Sequence, residues 1–230
     1  MRRVLGIIAA LFLSTSAQAG GDHVGQATGD HNWAGWYAGL QIGYARRADV
    51  VFEERVLTTN ALSFVGRYDS DGLLMGIHSG YNFQRGRIVF GYESDFELTN
   101  VQGIFYNGNT LSVDYNYAGS LRGRLGLAHG SYLFYATGGL AYADIVTSVA
   151  IGGASFAHSE TTYGWTAGGG IQMAISPNLS ARLEYRFTDY GDTSVSSTGF
   201  RYPHDNELQT VRLGLSYRLD SLFADMGMKR

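Results

Sequence analysis

Charged residues recur at every second position in three short stretches: Glu93, Asp95 and Glu97; Arg122 and Arg124; and Arg182, Glu184 and Arg186. Arg212 sits in a fourth stretch with the same alternation. A spacing of two places every member of a run on one face of a β-strand, and never on one face of a helix. Acids on one strand and arginines on its neighbour come within cross-strand reach. The planar fork of arginine can then pair bidentately with carboxylates, which helps satisfy charges withdrawn from bulk water. Two chemistries are open to such an array: a fixed ionic plug, or a path for protons or ions. Small closed sheets fill their interior with side chains, which favours the plug.

Other reactive groups are sparse. His158, Ser159 and Glu160 are consecutive, but a nucleophile, base and acid act through spatial geometry, not adjacency in a loop. Tyr202 and His204 are side-chain types that can ligate haem iron, and they fall in a segment read as a loop, where binding residues concentrate. Nothing in the sequence builds a pocket around them. The glycine runs Gly138-Gly139 and Gly168-Gly169-Gly170 lie inside strand patterns, where they permit curvature. No catalytic, cofactor or metal site is therefore expected.

The charged runs belong to eight segments of alternating character. Trp36, Ala38, Leu40, Ile42 and Tyr44 oppose Tyr37, Gly39, Gln41 and Gly43. Met75, Ile77, Tyr81 and Phe83 oppose Gly76, His78, Gly80 and Asn82. Ile88, Phe90, Tyr92, Phe96 and Leu98 oppose the acidic run. Tyr117, Leu121, Leu125 and Leu127 oppose Ser120, Arg122, Arg124 and Gly126. The pattern repeats at 132–143, 163–175, 180–190 and 209–219. Short turns separate some segments, at Gln84–Arg87, Ala128–Ser131 and Ser176–Asn178. Longer loops separate the others, near 46–72, 99–112, 144–160 and 191–206. Strict alternation of long and short connections is the pattern of an outer-membrane barrel with both termini in the periplasm.

Composition agrees. The chain has 230 residues, 32 Gly, 2 Pro, no Cys and a net charge of −3. Absence of cysteine excludes a disulfide framework and thiolate metal sites, and the charge gives no reason to expect nucleic acid. Arg2 and Arg3, the apolar run Val4–Leu13 and Ala17-Gln18-Ala19 read as a signal peptide cleaved after Ala19. Downstream no apolar run is long enough for a spanning helix, so crossing a membrane would require a closed barrel.

A spanning barrel should carry outward aromatics at both strand ends. Trp36, Tyr81, Phe83, Phe90, Phe134 and Tyr217 fall at the short-turn end. Tyr44, Phe96, Tyr117, Tyr142, Trp165 and Phe187 fall at the other. A soluble lipocalin-type barrel is the alternative, with its apolar face inward. The glycine-rich, lysine-poor polar face and the placing of aromatics at strand ends count against it. The expected architecture is all-β: an eight-stranded antiparallel up-and-down transmembrane β-barrel over 33–219. It would follow a signal peptide at 1–19 and a periplasmic segment at 20–32, and precede a periplasmic tail at 220–230.

A family resemblance covers the whole mature chain. The stretches GIHSGYNFQRGRIVFGYESDF at 76–96, SLRGRLGLA at 120–128, LFYATGGLAYA at 133–143, GWTAGGGIQMAISPNLSARLEYRFTDYG at 164–191 and TVRLGLSYRL at 210–219 carry it. Together they resemble the small opacity-like, Omp25/Omp31-like barrels of the porin family in alphaproteobacteria. The resemblance implies an eight-stranded barrel in the outer membrane with a role in envelope integrity and surface contact. It also implies outer-membrane lipid, lipopolysaccharide and the barrel assembly machinery as partners. Gln172 stands where many relatives carry an acid. Leu219 ends the last strand where relatives usually end on an aromatic residue, and Asp220–Arg230 follows. The leading expectation is a non-enzymatic structural and surface protein. The alternatives are adhesion to a host or surface ligand or haem binding through the loops, a small pore, and a barrel enzyme acting on lipid.

Overall fold

A computed structural model describes residues 31–55, 62–106, 110–151, 154–197 and 200–220. The signal-peptide segment, most of 20–32 and the tail beyond 220 lie outside the described residues. The described chain is almost all strand: β1 (Gly35–Arg55), β2 (Leu62–Arg85), β3 (Ile88–Thr99), β4 (Gln102–Tyr106), β5 (Thr110–His129), β6 (Tyr132–Ile151), β7 (Ala154–Ala174), β8 (Leu179–Ser197) and β9 (Phe200–Arg218).

All pairings are antiparallel, and β1 pairs with β9 to close the cylinder, with Leu40 opposite Leu215. β3 and β4 lie between the same partners, β2 and β5, so the nine segments make eight staves. The break between them is a bulge. Asn100 N donates to Leu73 O at 3.1 Å, Asn100 Oδ1 accepts from Leu73 N at 2.7 Å, and Tyr115 N reaches Val101 O at 3.0 Å. The side chain thus restores a ladder bond that the irregularity removes.

Two hairpins are closed by two residues, Gly86-Arg87 and Gly130-Ser131. Both glycines have φ of +59°, the positive value that matches tight hairpins to strand twist. At the opposite end the strands run far beyond the expected boundaries. β1 has 21 residues and β2 has 24, whereas roughly 9–11 cross a bilayer. Most of 46–72, 99–112, 144–160 and 191–206 is therefore paired strand, and the expectation of loops there is corrected. The apolar alternation fades where lipid contact would end, but backbone pairing needs no such alternation to continue. Val50 to Phe52 opposite Phe64 to Arg67 shows the ladder running on.

The outward face is apolar and the inward face is charged. Leu140 is 70% exposed and Leu213 59%, while Glu93 is 0% and Arg122 1% exposed. A water-soluble barrel would cover Leu140 and present the charges. The inversion fits a sheet that gains its stability from lipid on the outside and from internal pairing within.

The interior has three tiers. At the short-turn end Trp33, Val89, Ala128, Leu133 and Tyr135 form an apolar cluster. A charged belt lies above it. At the long-hairpin end Ala45, Leu74, Val101, Tyr115, Ala118, Ala141, Ala143, Ile145, Tyr190 and Leu208 form a second apolar cluster.

Candidate functional site: the interior ionic belt

The belt is built from inward positions of β3, β5, β8 and β9. The β3–β5 register puts Glu93 opposite Arg122 and Gly91 opposite Arg124. The β8–β9 register puts Glu184 opposite Arg212. Closure of the sheet then brings β3 and β5 to face β8 and β9 across the lumen.

Arg122 is the centre of the belt. Its Nη2 lies 2.5 Å from Glu93 Oε1 and 3.0 Å from Asp95 Oδ2, and its Nη1 lies 3.0 Å from Glu184 Oε1. Nη1 also donates to Thr137 Oγ1 at 3.0 Å and Nε to Ser120 Oγ at 3.0 Å. One guanidinium thus ties β3, β5, β6 and β8 together with all three nitrogens engaged. Arg182 crosses the lumen the other way, from Nη1 to Glu93 Oε2 at 2.5 Å and from Nη2 to Gln41 Oε1 at 2.6 Å. Gln41 passes the chain on through Nε2 to Glu97 Oε1 at 2.6 Å. Arg212 grips Glu97 bidentately, Nε to Oε1 and Nη2 to Oε2, both at 2.7 Å. Arg186 joins Glu184 Oε1 at 2.8 Å and Asp95 Oδ2 at 3.0 Å.

Every charged residue of the expected interior set is at most 4% exposed. Five arginines face four carboxylates: Glu93, Asp95, Glu97 and Glu184. The excess cation falls at Arg124, whose guanidinium carbon stands 3.8 Å from the Tyr135 ring centroid and whose Nη2 donates to Gln172 Oε1. Its Nη1 lies 3.7 Å from Glu93 Oε2. An aromatic face and an amide oxygen thus accommodate this cation.

Neutral groups that the alternation did not single out complete the belt. Tyr37 donates to Glu93 Oε2 at 2.8 Å, Tyr135 to Glu184 Oε2 at 3.0 Å, and Ser120 to Asp95 Oδ2 at 2.7 Å. They lie on the inward parity, so position was legible, but nothing local says which hydroxyl meets which acid. Glycine makes the room: a Cβ on Gly214 would come within 3.0 Å of Arg182 Nε, and one on Gly170 within 2.7 Å of the Tyr135 hydroxyl. Above the belt, Arg47 Nη1 donates to the Tyr115 hydroxyl at 2.9 Å.

The outward aromatics fall into two groups. At the short-turn end Trp36 meets Tyr81 at 5.2 Å between centroids, and Phe83 stacks on Phe90 at 5.2 Å. Tyr92, not assigned to this group from the sequence, joins Trp36 at 6.0 Å. Phe134 and Tyr217 are exposed at the same end. At the other end Phe96 stacks on Tyr117 at 5.9 Å and Trp165 meets Phe187 at 5.4 Å. Tyr142 covers Gly119 there, and the polar tips of Tyr44 and Trp165 reach Asp71 Oδ2 at 2.9 Å and Asp189 Oδ2 at 3.1 Å.

The remaining reactive residues are not assembled. Ser159 Oγ donates to Asp144 Oδ1 at 2.8 Å and Glu160 is exposed. The side chains of His158, Tyr202 and His204 lie outside the described residues. The backbone of the latter two runs within β9, opposite Val195 and Thr193. Among the described residues no group of three or more His, Asp or Glu side chains is arranged to hold a metal.

Comparison with known proteins bears on where this barrel resides. A family model described as "Outer membrane protein beta-barrel domain" matches residues 5–218. The "31 kDa outer-membrane immunogenic protein" of Brucella melitensis is 31% identical, over 94% of this chain and 98% of its own. The "25 kDa outer-membrane immunogenic protein" of Brucella canis is 29% identical, over 82% of this chain and 80% of its own. Among solved structures, the outer membrane protein OprG from Pseudomonas aeruginosa superposes with a TM-score of 0.57 at 13% identity, covering 83% of this chain and 98% of that one. The last likeness is one of fold. With an apolar exterior, a closed eight-stave sheet and a family match over nearly its full length, the chain belongs to the outer membrane protein β-barrel family and resides in the outer membrane.

Proposed function

We propose that this protein is a non-enzymatic structural barrel of the outer membrane that strengthens the envelope and carries long hairpins into the external medium. The observation that carries this reading is the Arg122 guanidinium, which joins acids from both sides of the lumen. A barrel filled in this way is a rigid cylinder, not a channel.

In this reading the short-turn end faces the periplasm. Trp36, Tyr81, Phe83, Phe90, Phe134 and Tyr217 anchor the inner interface, and Tyr44, Phe96, Tyr117, Tyr142, Trp165 and Phe187 the outer one. Residues 1–19 are an export signal removed after Ala19, and 220–230 remain in the periplasm. The barrel assembly machinery inserts the chain. Ligands of the cell exterior would meet the β1–β2, β4–β5, β6–β7 and β8–β9 ends. The word "immunogenic" in the names of the Brucella relatives supports surface presentation.

Conductance tests the reading. Mature protein refolded into planar bilayers should give no stable channel of porin size. Reproducible large conductance would overturn it.

A further inference from the structure

Residues 31–34 precede β1 yet do not leave the barrel. Trp33 is 6% exposed and packs into the apolar cluster of Val89, Ala128, Leu133 and Tyr135 inside the short-turn mouth. The segment is held by rim groups instead of by a sheet ladder. Trp33 N donates to Gln84 Oε1 at 2.6 Å, and Asn82 Nδ2 to Trp33 O at 3.3 Å. Arg218 Nη1 donates to Asn32 O at 2.9 Å, and His31 N to Gly130 O at 2.8 Å. These partners come from β2, β9 and the β5–β6 turn, so the segment lies across the mouth and touches staves from around the rim.

Two features distinguish it from the wall. The chain passes from the segment into β1 through Gly35, whose φ of +116° is open essentially to glycine alone. A side chain there would also collide with the Asp220 carboxylate. Behind the segment lies a small cavity of about 30 Å³, lined by Trp33, Tyr37, Asn82, Gln172, Ser180 and Ser216 among others. Trp33 Nε1 and Asn82 Oδ1 are buried at this mouth without hydrogen-bond partners. Unmet polar groups weaken the docking of the segment but not the closed sheet around it.

We infer that residues 31–34 are a releasable inner strap whose cork is Trp33. The strap closes the short-turn half of the lumen independently of the ionic belt, so the barrel has two barriers in series. Opening the strap admits water and small solutes to Tyr37, His78 and Ser216, as far as the belt. Local opening of a segment without unfolding of the sheet is the expected behaviour for an element held outside the ladder.

Thiol accessibility tests this on the folded mature protein in detergent, with each variant first shown to be folded by a heat-dependent gel shift. Ser216→Cys places a thiol behind the strap, and Thr210→Cys places one beyond Arg212. A small cationic methanethiosulfonate reagent is the probe. Trp33→Ala should raise labelling of the Ser216→Cys thiol by about tenfold or more, and Trp33→Phe should restore slow labelling. Labelling at position 210 should stay slow in both backgrounds. If Trp33→Ala fails to fold, the double variant Asn82→Ala/Gln84→Ala removes the anchors and should give the same acceleration. Equal labelling at position 216 with and without Trp33 overturns the strap. Acceleration at both positions together also overturns it, because the whole barrel has then loosened. Fast labelling at position 210 in the otherwise unaltered chain would instead show an open outer half of the lumen and refute the filled barrel of the proposed function, a distinct result.

Discussion

Replacing Arg122 by Met is the sharpest probe of the belt. The substitution keeps much of the stem and removes a guanidinium that touches Glu93, Asp95 and Glu184. None of the three acids is left alone: Glu93 retains Arg182 at 2.5 Å, and Asp95 and Glu184 retain Arg186 at 3.0 and 2.8 Å. The loss is therefore expected at about 3–5 kcal/mol, the range for removing one partner of a buried pair. It should not reach three times that value. At 1.4 kcal/mol per factor of ten, the folding equilibrium constant falls by roughly two to three and a half orders of magnitude. The double variant Arg122→Met/Glu93→Gln should cost clearly less than the sum of the singles, with a coupling of about 1–3 kcal/mol, because the second change removes a charge that the first has left with one cation fewer. Reversible urea unfolding in lipid vesicles, followed by the heat-dependent gel shift, measures all three. A cost under about 1 kcal/mol for Arg122→Met, within the range of an ordinary exposed pair, would refute the idea that belt geometry supports the barrel. So would strict additivity in the cycle.

Three further expectations follow from the same geometry. Gln172→Glu supplies a carboxylate where Arg124 now meets an amide, so it should fold normally and raise the urea midpoint; a lowered midpoint would show that the Gln172 Nε2 bond to Ser180 Oγ at 2.7 Å matters more. Leu213→Arg, on the outward face midway between the aromatic groups, should cost about 2–4 kcal/mol of membrane folding, and a neutral effect on vesicle refolding would contradict the assignment of that face to lipid. His31, in the strap, has its pKa pushed down to about 4 by burial and then by the neighbouring Arg218 guanidinium. Because the docked value lies below the ordinary 6.5, docking is fully supported above that pH and is lost progressively as pH falls toward 4; an NMR titration midpoint near 6.5 in the folded protein would show that His31 is not docked.

The sequence alone determined the orientation of the residues in the short-turn part of the eight staves, outside the segments read as loops. Alternation is a local property of the pleat, so the inward parity of Glu93, Arg122 and Glu184 and the outward parity of Leu40, Leu140 and Leu213 follow once a segment is strand. The two-residue hairpins at Gly86 and Gly130 were legible for the same reason, since turn chemistry is carried by neighbouring residues. Tertiary structure decided everything that depends on closure. That Arg182 reaches Glu93 across the lumen, and that Arg212 grips Glu97 instead of its ladder partner Glu184, depends on how the staves are staggered and tilted around the axis. The apolar tier of Tyr115, Ile145, Tyr190 and Leu208 was hidden because apolar residues on the inward parity interrupt the alternation that reveals strands. The extension of the hairpins was hidden because backbone pairing leaves little mark on side-chain pattern. The insertion of Trp33 into the mouth is set by Gln84, Asn82 and Arg218, rim groups that only the closed cylinder brings together.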